Sequence, residues 1–122
     1  MTDDVDSLSA AERTVLAQLT AYREQDRETA ERLLDDMLSF TSPQDDHIDK
    51  ATFLERCFPT ADRFERQEVT LLREIEPGLV VLSYVASLDD GTVFSNMELS
   101  RVVGGRITEI RVYFGGVDAF AE

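Results

Sequence analysis

The sequence predicts an α+β domain in which a curved antiparallel sheet packs on the helices of the N-terminal half. Three observations carry this. The stretch from Phe64 to Phe114 reads as four extended segments broken at Pro77-Gly78, Asp89-Asp90-Gly91 and Gly104-Gly105, which are hairpin punctuation. The chain before it places apolar residues at three- and four-residue spacing, the period of a helix. A four-stranded meander needs an apolar layer on one face to be stable in water, and those helices can supply it.

Each element follows from its residues. Residues 1 to 7 are expected to be a flexible acidic tail, and 8 to 122 a single domain, because 122 residues at 43% hydrophobic fill one core. Ser9-Ala10-Ala11-Glu12 has the form of a capping box, so a helix starts there; Val15, Leu16, Leu19 and Tyr22 make its apolar stripe. Asp26 can cap a second helix whose apolar side is Ala30, Leu33, Leu34, Met37 and Leu38. Leu38-Ser39-Phe40-Thr41 then alternates as a short strand stopped at Ser42-Pro43. Residues 44 to 48 read as a loop, and Asp49 caps a third helix from Lys50 to Cys57, ended by Pro59. A twisted sheet bent around helices leaves one open end, the default place for a ligand.

Composition narrows the function classes. Twenty-five acidic residues against twelve basic ones give a formal charge of −13, which repels polyanions, so neither nucleic acid nor an anionic membrane is an expected partner. The start of the chain, Met1 to Asp6, is acidic rather than basic-then-apolar, and the longest apolar run, Leu79 to Leu82, is far below spanning length; a cytoplasmic protein is expected. Cys57 is the sole cysteine, so no intrachain disulfide can form, and its apolar surroundings in sequence suit a small buried hydrophobe. No Gly-rich phosphate loop, nucleophile elbow or zinc-type Cys/His set occurs, and Asp45, Asp46 and Asp49 lack a calcium-loop pattern. No cofactor and no metal are expected.

The order of elements, with Phe40-Thr41-Ser42-Pro43 after the second helix and Gly105 to Gly115 as the last strand, resembles the nuclear transport factor 2-like superfamily, and within it the SnoaL-like proteins, over residues 8 to 116. The resemblance implies a cone-shaped curved sheet wrapped around the N-terminal helices, a cystatin-like roll. Members include isomerases, dehydratases, cyclases and epoxide hydrolases as well as binding and dimerising domains, so the fold leaves the chemistry open. Against the ketosteroid isomerases, the general-base Asp falls on Ser42 and the oxyanion-hole Tyr on Gln18. Only the protonated Asp of that hole has a counterpart, Glu98. Isomerisation by that route is disfavoured.

Alternation along Phe94-Ser95-Asn96-Met97-Glu98 puts Phe94, Asn96 and Glu98 on one face, and along the last strand it groups Ile110, Val112 and Phe114. If these faces look into the cone, as the resemblance implies, an amide and a carboxyl sit in an otherwise apolar pocket completed by Phe40 and Tyr84. The plainer alternative for Glu98 is an ion pair with Arg101 or Arg111 at the surface. The face of Tyr84 depends on hairpin register and stays open. His47, the one histidine, is a candidate proton donor at the pocket mouth or a surface group. The sequence therefore supports a domain that binds a small apolar molecule and forms a homodimer through the outer sheet face, where Glu109, Arg111 and Tyr113 lie. Its rivals are an acid-base enzyme using Glu98 and His47, and a structural dimerisation module with a filled cone.

Overall fold

A computed structural model describes residues 7–117; the tail expected at residues 1 to 7 lies, apart from residue 7, outside the described residues. The chain begins with α1 (Ala10–Glu24), where Ser9 Oγ accepts from the Glu12 amide (3.1 Å) and Glu12 Oε1 accepts from the Ser9 amide (3.0 Å). This reciprocal cap satisfies two N–H groups that the first turn leaves without partners. Glu12 Oε2 also accepts from the Glu74 amide (2.7 Å), pinning the start of α1 to the sheet. Gln25 ends the helix in the left-handed region, and Asp26 caps α2 (Arg27–Leu33) through the Thr29 amide.

The second helix is shorter than its apolar spacing predicts. It stops at Leu33, and Leu34–Ser42 forms strand β1, which runs parallel to the last strand of the sheet. Tertiary pairing overrides the helical period here. Leu34 sits opposite Ile107, both fully buried, while Lys50 Nζ (2.9 Å) and Arg106 Nη2 (3.1 Å) donate to the Leu34 carbonyl. Met37, expected on the apolar side, is 82% exposed. Residues 45 to 48, expected as loop, form β2 (Asp45–Ile48), a short antiparallel partner to β1.

The third helix is also irregular. Asp49 caps α3 (Lys50–Thr52), which continues as one π turn (Phe53–Cys57) and a 3₁₀ segment (Phe58–Arg63). Pro59 does not end the helical path as expected; it stands at the start of the 3₁₀ segment, where a missing N–H costs little. The meander then follows as β3 (Phe64–Glu76), β4 (Leu79–Leu88), β5 (Val93–Val103) and β6 (Arg106–Val117). Its first turn requires Gly78, which has φ +80° and whose absent Cβ would lie 2.8 Å from the Val102 carbonyl oxygen.

These strands form one open sheet in the order β2-β1-β6-β5-β4-β3. Register irregularities interrupt β3 at three places and β6 at two, the kind of bulge that bends a sheet. The concave face carries Val80, Leu82, Tyr84 and Ala86 of β4 and Ile107 and Ile110 of β6, all buried against Val15 and Leu19 of α1 and Phe53 and Leu54 of the π turn. Burying each such aliphatic side chain stabilises the fold by about 1.5–3 kcal/mol. β3 closes one edge of the sheet with Glu65, Arg66, Glu68 and Arg73 outward, charges that discourage edge-to-edge pairing. Among the described residues no helix is long and apolar enough to cross a membrane.

Candidate functional site

The concave face does not close completely on the helices. A cavity of about 580 Å³ remains between α1, the π and 3₁₀ turns and the inner faces of β1, β4, β5 and β6. Phe40, Tyr84, Phe94, Asn96, Glu98, Ile110, Val112 and Phe114 all line it. Phe114 is nevertheless 54% exposed, so it belongs to the rim.

Strand register explains how the polar groups meet. Tyr84, Asn96 and Phe114 are opposite one another across β4, β5 and β6, and Leu82, Glu98 and Val112 form the next inward row. Tyr84 thus shares the inner face with Asn96 and Glu98, one step apart along the strands. Its hydroxyl accepts from Asn96 Nδ2 (3.0 Å) and donates to Glu98 Oε2 (3.4 Å). Glu98 has no ion-pair partner among the described residues; Arg101 lies beside Glu76 and Arg111 beside Glu109. Burial pushes the Glu98 carboxyl up to about 7, against the Tyr84 hydrogen bond, which lowers it. Burial, then the nearby Glu98 charge, holds the Tyr84 hydroxyl well above the usual phenol range.

Sequence reasoning reached the helical side of this cavity only at Gln18, the position that the resemblance matches to the oxyanion-hole Tyr, and missed the rest. Gln18 and Tyr22 line it from α1, Cys57 and Thr60 from the irregular helix, and Phe64 from the start of β3. On a helix, a stripe facing a cavity has the same spacing as one facing a packed core, so the sequence carried no signal to separate them. Thr60 Oγ1 donates to the Cys57 carbonyl (2.6 Å), so the Tyr22 hydroxyl is the donor in its 3.3 Å contact with Thr60. Burial raises Tyr22 to about 12. Two amide oxygens in the lining, Gln18 Oε1 and Asn96 Oδ1, are buried with no hydrogen-bond partner among the described residues.

The mouth is organised around Asp45. Its carboxylate accepts from Arg56 Nη2 (3.0 Å), Ser42 Oγ (3.3 Å) and Cys57 Sγ (3.6 Å). Cys57 is half-buried rather than part of the sealed core, and burial followed by the Asp45 charge pushes its thiol up to about 12. Such a thiol carries almost no thiolate and is a poor nucleophile. His47 is outside the cavity lining. It is an exposed β2 residue at φ +53°, with Nδ1 2.6 Å from Asp46 Oδ1 and Nε2 3.5 Å from Arg111 Nη2. Arg111 alternates with Ile110 and Val112, which line the cavity, so His47 and Glu98 are not brought together.

A helix-covered, curved, open sheet with a cavity under its concave face is the architecture of the nuclear transport factor 2-like superfamily, and the chain has that fold. Among solved structures it is similar to a protein of Kribbella flavida (24% identity over 88% of each chain, TM-score 0.78). An NTF2-like protein of unknown function from Cytophaga hutchinsonii matches with 21% identity over 90% of this chain and 94% of that one (TM-score 0.69). An LEH-like epoxide hydrolase of M. tuberculosis matches with 21% identity over 86% and 82% (TM-score 0.71). No family model and no curated protein sequence matches the chain.

Proposed function

We propose that the protein binds a small, largely apolar molecule in its cone-shaped pocket, anchoring the molecule's polar end at Tyr84, Asn96 and Glu98. One observation carries this reading: a carboxyl without an ion-pair partner among the described residues lies within the mostly apolar lining of a cavity of about 580 Å³, with one 3.4 Å hydrogen bond to hold it. An unmatched, half-buried carboxylate costs stability, and a ligand that satisfies it is the simplest reason to keep it. The same reading takes the active unit as a homodimer joined through the outer sheet face. Met97 and Tyr113, opposite one another there, are 45% and 54% exposed, which suits a partly apolar interface. Native mass spectrometry of gently purified protein tests both statements. The expected spectrum shows a dimer carrying extra mass that Glu98→Leu removes; a bare monomer that takes up no apolar dye would overturn the reading.

The second reading is acid-base catalysis in the same pocket. The observation favouring it is the Glu98 carboxyl poised near 7, where it can both give and take a proton. Tyr84, at 3.4 Å, would be the second group in place of His47. That an epoxide hydrolase shares the fold supports the class of chemistry without fixing a reaction. Incubating the retained molecule with fresh protein separates the readings: a changed product mass that Glu98→Gln abolishes means catalysis, and an unchanged mass means binding.

A further inference from the structure

The polar lining of the cavity is biased in one direction. Among the described residues Gln18 Oε1 and Asn96 Oδ1 are acceptors without partners, and Glu98 receives a single long hydrogen bond although a carboxylate can accept roughly four. Of the donors nearest Glu98, the Tyr84 hydroxyl is committed to Glu98, one Asn96 Nδ2 proton to Tyr84 and the Tyr22 hydroxyl to Thr60. A ketone, an epoxide or a carboxylate brings further acceptors and would leave Gln18 Oε1, Asn96 Oδ1 and the Glu98 carboxylate unsatisfied. A donor-only head group meets it.

From this we infer that the ligand class is a lipophilic amine, bound as its ammonium, with the nitrogen donating toward Glu98 and the free amide oxygens. The inference rests on the binding reading above and adds the chemistry of the head group. Charge supports it. Asp45 at the mouth is already neutralised by Arg56, Arg63 lies beside Asp90, and among the described residues no cation pairs with Glu98. The titratable groups acting on Glu98 and its surroundings are Tyr84 from β4 and Tyr22 from α1, both neutral, with Asp45, Cys57, Arg56 and Arg63 around the opening. The rings of Tyr22, Phe64 and Phe94, packed edge to face with centroids 5.9 and 5.8 Å apart, offer π faces to an ammonium and apolar surface to its carbon frame. The −13 net charge draws cations toward the protein and repels anions.

The test is calorimetric titration with four probes that share one rigid hydrocarbon cage: adamantylamine, adamantanol, adamantanone and adamantanecarboxylate. At about pH 8 the amine is expected to bind at least about ten-fold tighter than each of the others. Lowering the pH to about 6 should weaken it about ten-fold, because a carboxyl titrating near 7 must then lose its proton to pair with the ammonium. Glu98→Gln should bring the amine down to the affinity of the alcohol. The ketone or the carboxylate binding best, all four binding alike, or an amine preference that survives Glu98→Gln would overturn the inference while leaving the binding reading intact. If Glu98→Gln does not fold, the wild-type pH series decides, and an amine affinity that is flat from about pH 6 to 8 overturns the inference. Binding of none of the four, with no uptake of an apolar dye, overturns the binding reading and this inference together.

Discussion

Among the described residues two carboxylates line the cavity, and its floor and its mouth treat them in opposite ways. At the mouth, Asp45 is only 9% exposed yet accepts from a guanidinium, a hydroxyl and a thiol. At the floor, Glu98 is half-buried in a mostly apolar lining and, among the described residues, receives one long hydrogen bond. A buried charge that is matched by donors holds loops in place; one left unmatched raises its own pKa and waits for a partner. Asp45 is therefore a structural group that ties β2 to the irregular helix, and Glu98 is the group to which we assign the ligand.

The sharpest test of this contrast is pH. Folded, Glu98 keeps its proton up to about pH 7; unfolded, only up to its ordinary value near 4.5. Between those values the folded state binds more protons, so stability falls as pH rises, by at most about 3 kcal/mol once both are passed. Glu98→Gln, which cannot ionise, should lack this decline and be the more stable protein above pH 7 in urea denaturation. Asp26, Asp49, Glu74 and Asp90, whose hydrogen bonds hold them below the usual range, act in the opposite sense and at lower pH, so they do not mask it. A decline that persists in Glu98→Gln would place its source elsewhere.

At the mouth the expected change is smaller and opposite in sign. Asp45→Ala strips an acceptor from Arg56, Ser42 and Cys57, and should cost about 2 kcal/mol, read as a lower urea midpoint. An Asp45→Ala protein as stable as wild type would mean that Asp45, too, is uncompensated, and the contrast would fail.

The sequence made the floor far more legible than the mouth. The meander is punctuated by strong turn signals, and period-two alternation placed Asn96 and Glu98 on one face before any register was known. Tyr84 could not be placed because its face depends on how the Asp89-Asp90-Gly91 turn sets the register, and that is fixed by the pairing of Tyr84 with Asn96. The mouth is built from non-local pairing. Leu34, Met37 and Leu38 keep the helical spacing of α2, yet the partnership of Leu34 with Ile107, 73 residues on, makes a strand of them. Asp45–Ile48 looks like solvated loop because its pairing with β1 leaves its carboxylates and its histidine at the surface or the rim. Local pattern reports local periodicity; it cannot report which distant strand will accept a segment.

Within the floor, Tyr84→Phe sharpens the account of what holds Glu98. The change removes one oxygen from a fully buried ring, leaving Asn96 Nδ2 without its acceptor and Glu98 without its donor, at a cost of about 1 kcal/mol. Because the lost hydrogen bond was the one lowering the carboxyl pKa, the Glu98 transition should also move to higher pH, which a carboxylate-specific NMR titration would read. A transition that moved down instead would mean that the Tyr84 hydroxyl holds Glu98 in its neutral form.

The smallest effect is expected just outside the mouth. His47 sits at φ +53°, a conformation that Asn adopts more readily than most side chains, so His47→Asn loses the exposed contacts with Asp46 and Arg111 but relieves some backbone strain. The two terms nearly cancel, and stability should stay within about 0.5 kcal/mol of wild type. The more telling readout is the cavity: His47 does not line it, so the affinity of a bound amine should not change. A several-fold loss in His47→Asn would mean that β2 moves to bring the imidazole over the opening when the cavity fills, and the mouth would then share in recognition instead of merely framing it.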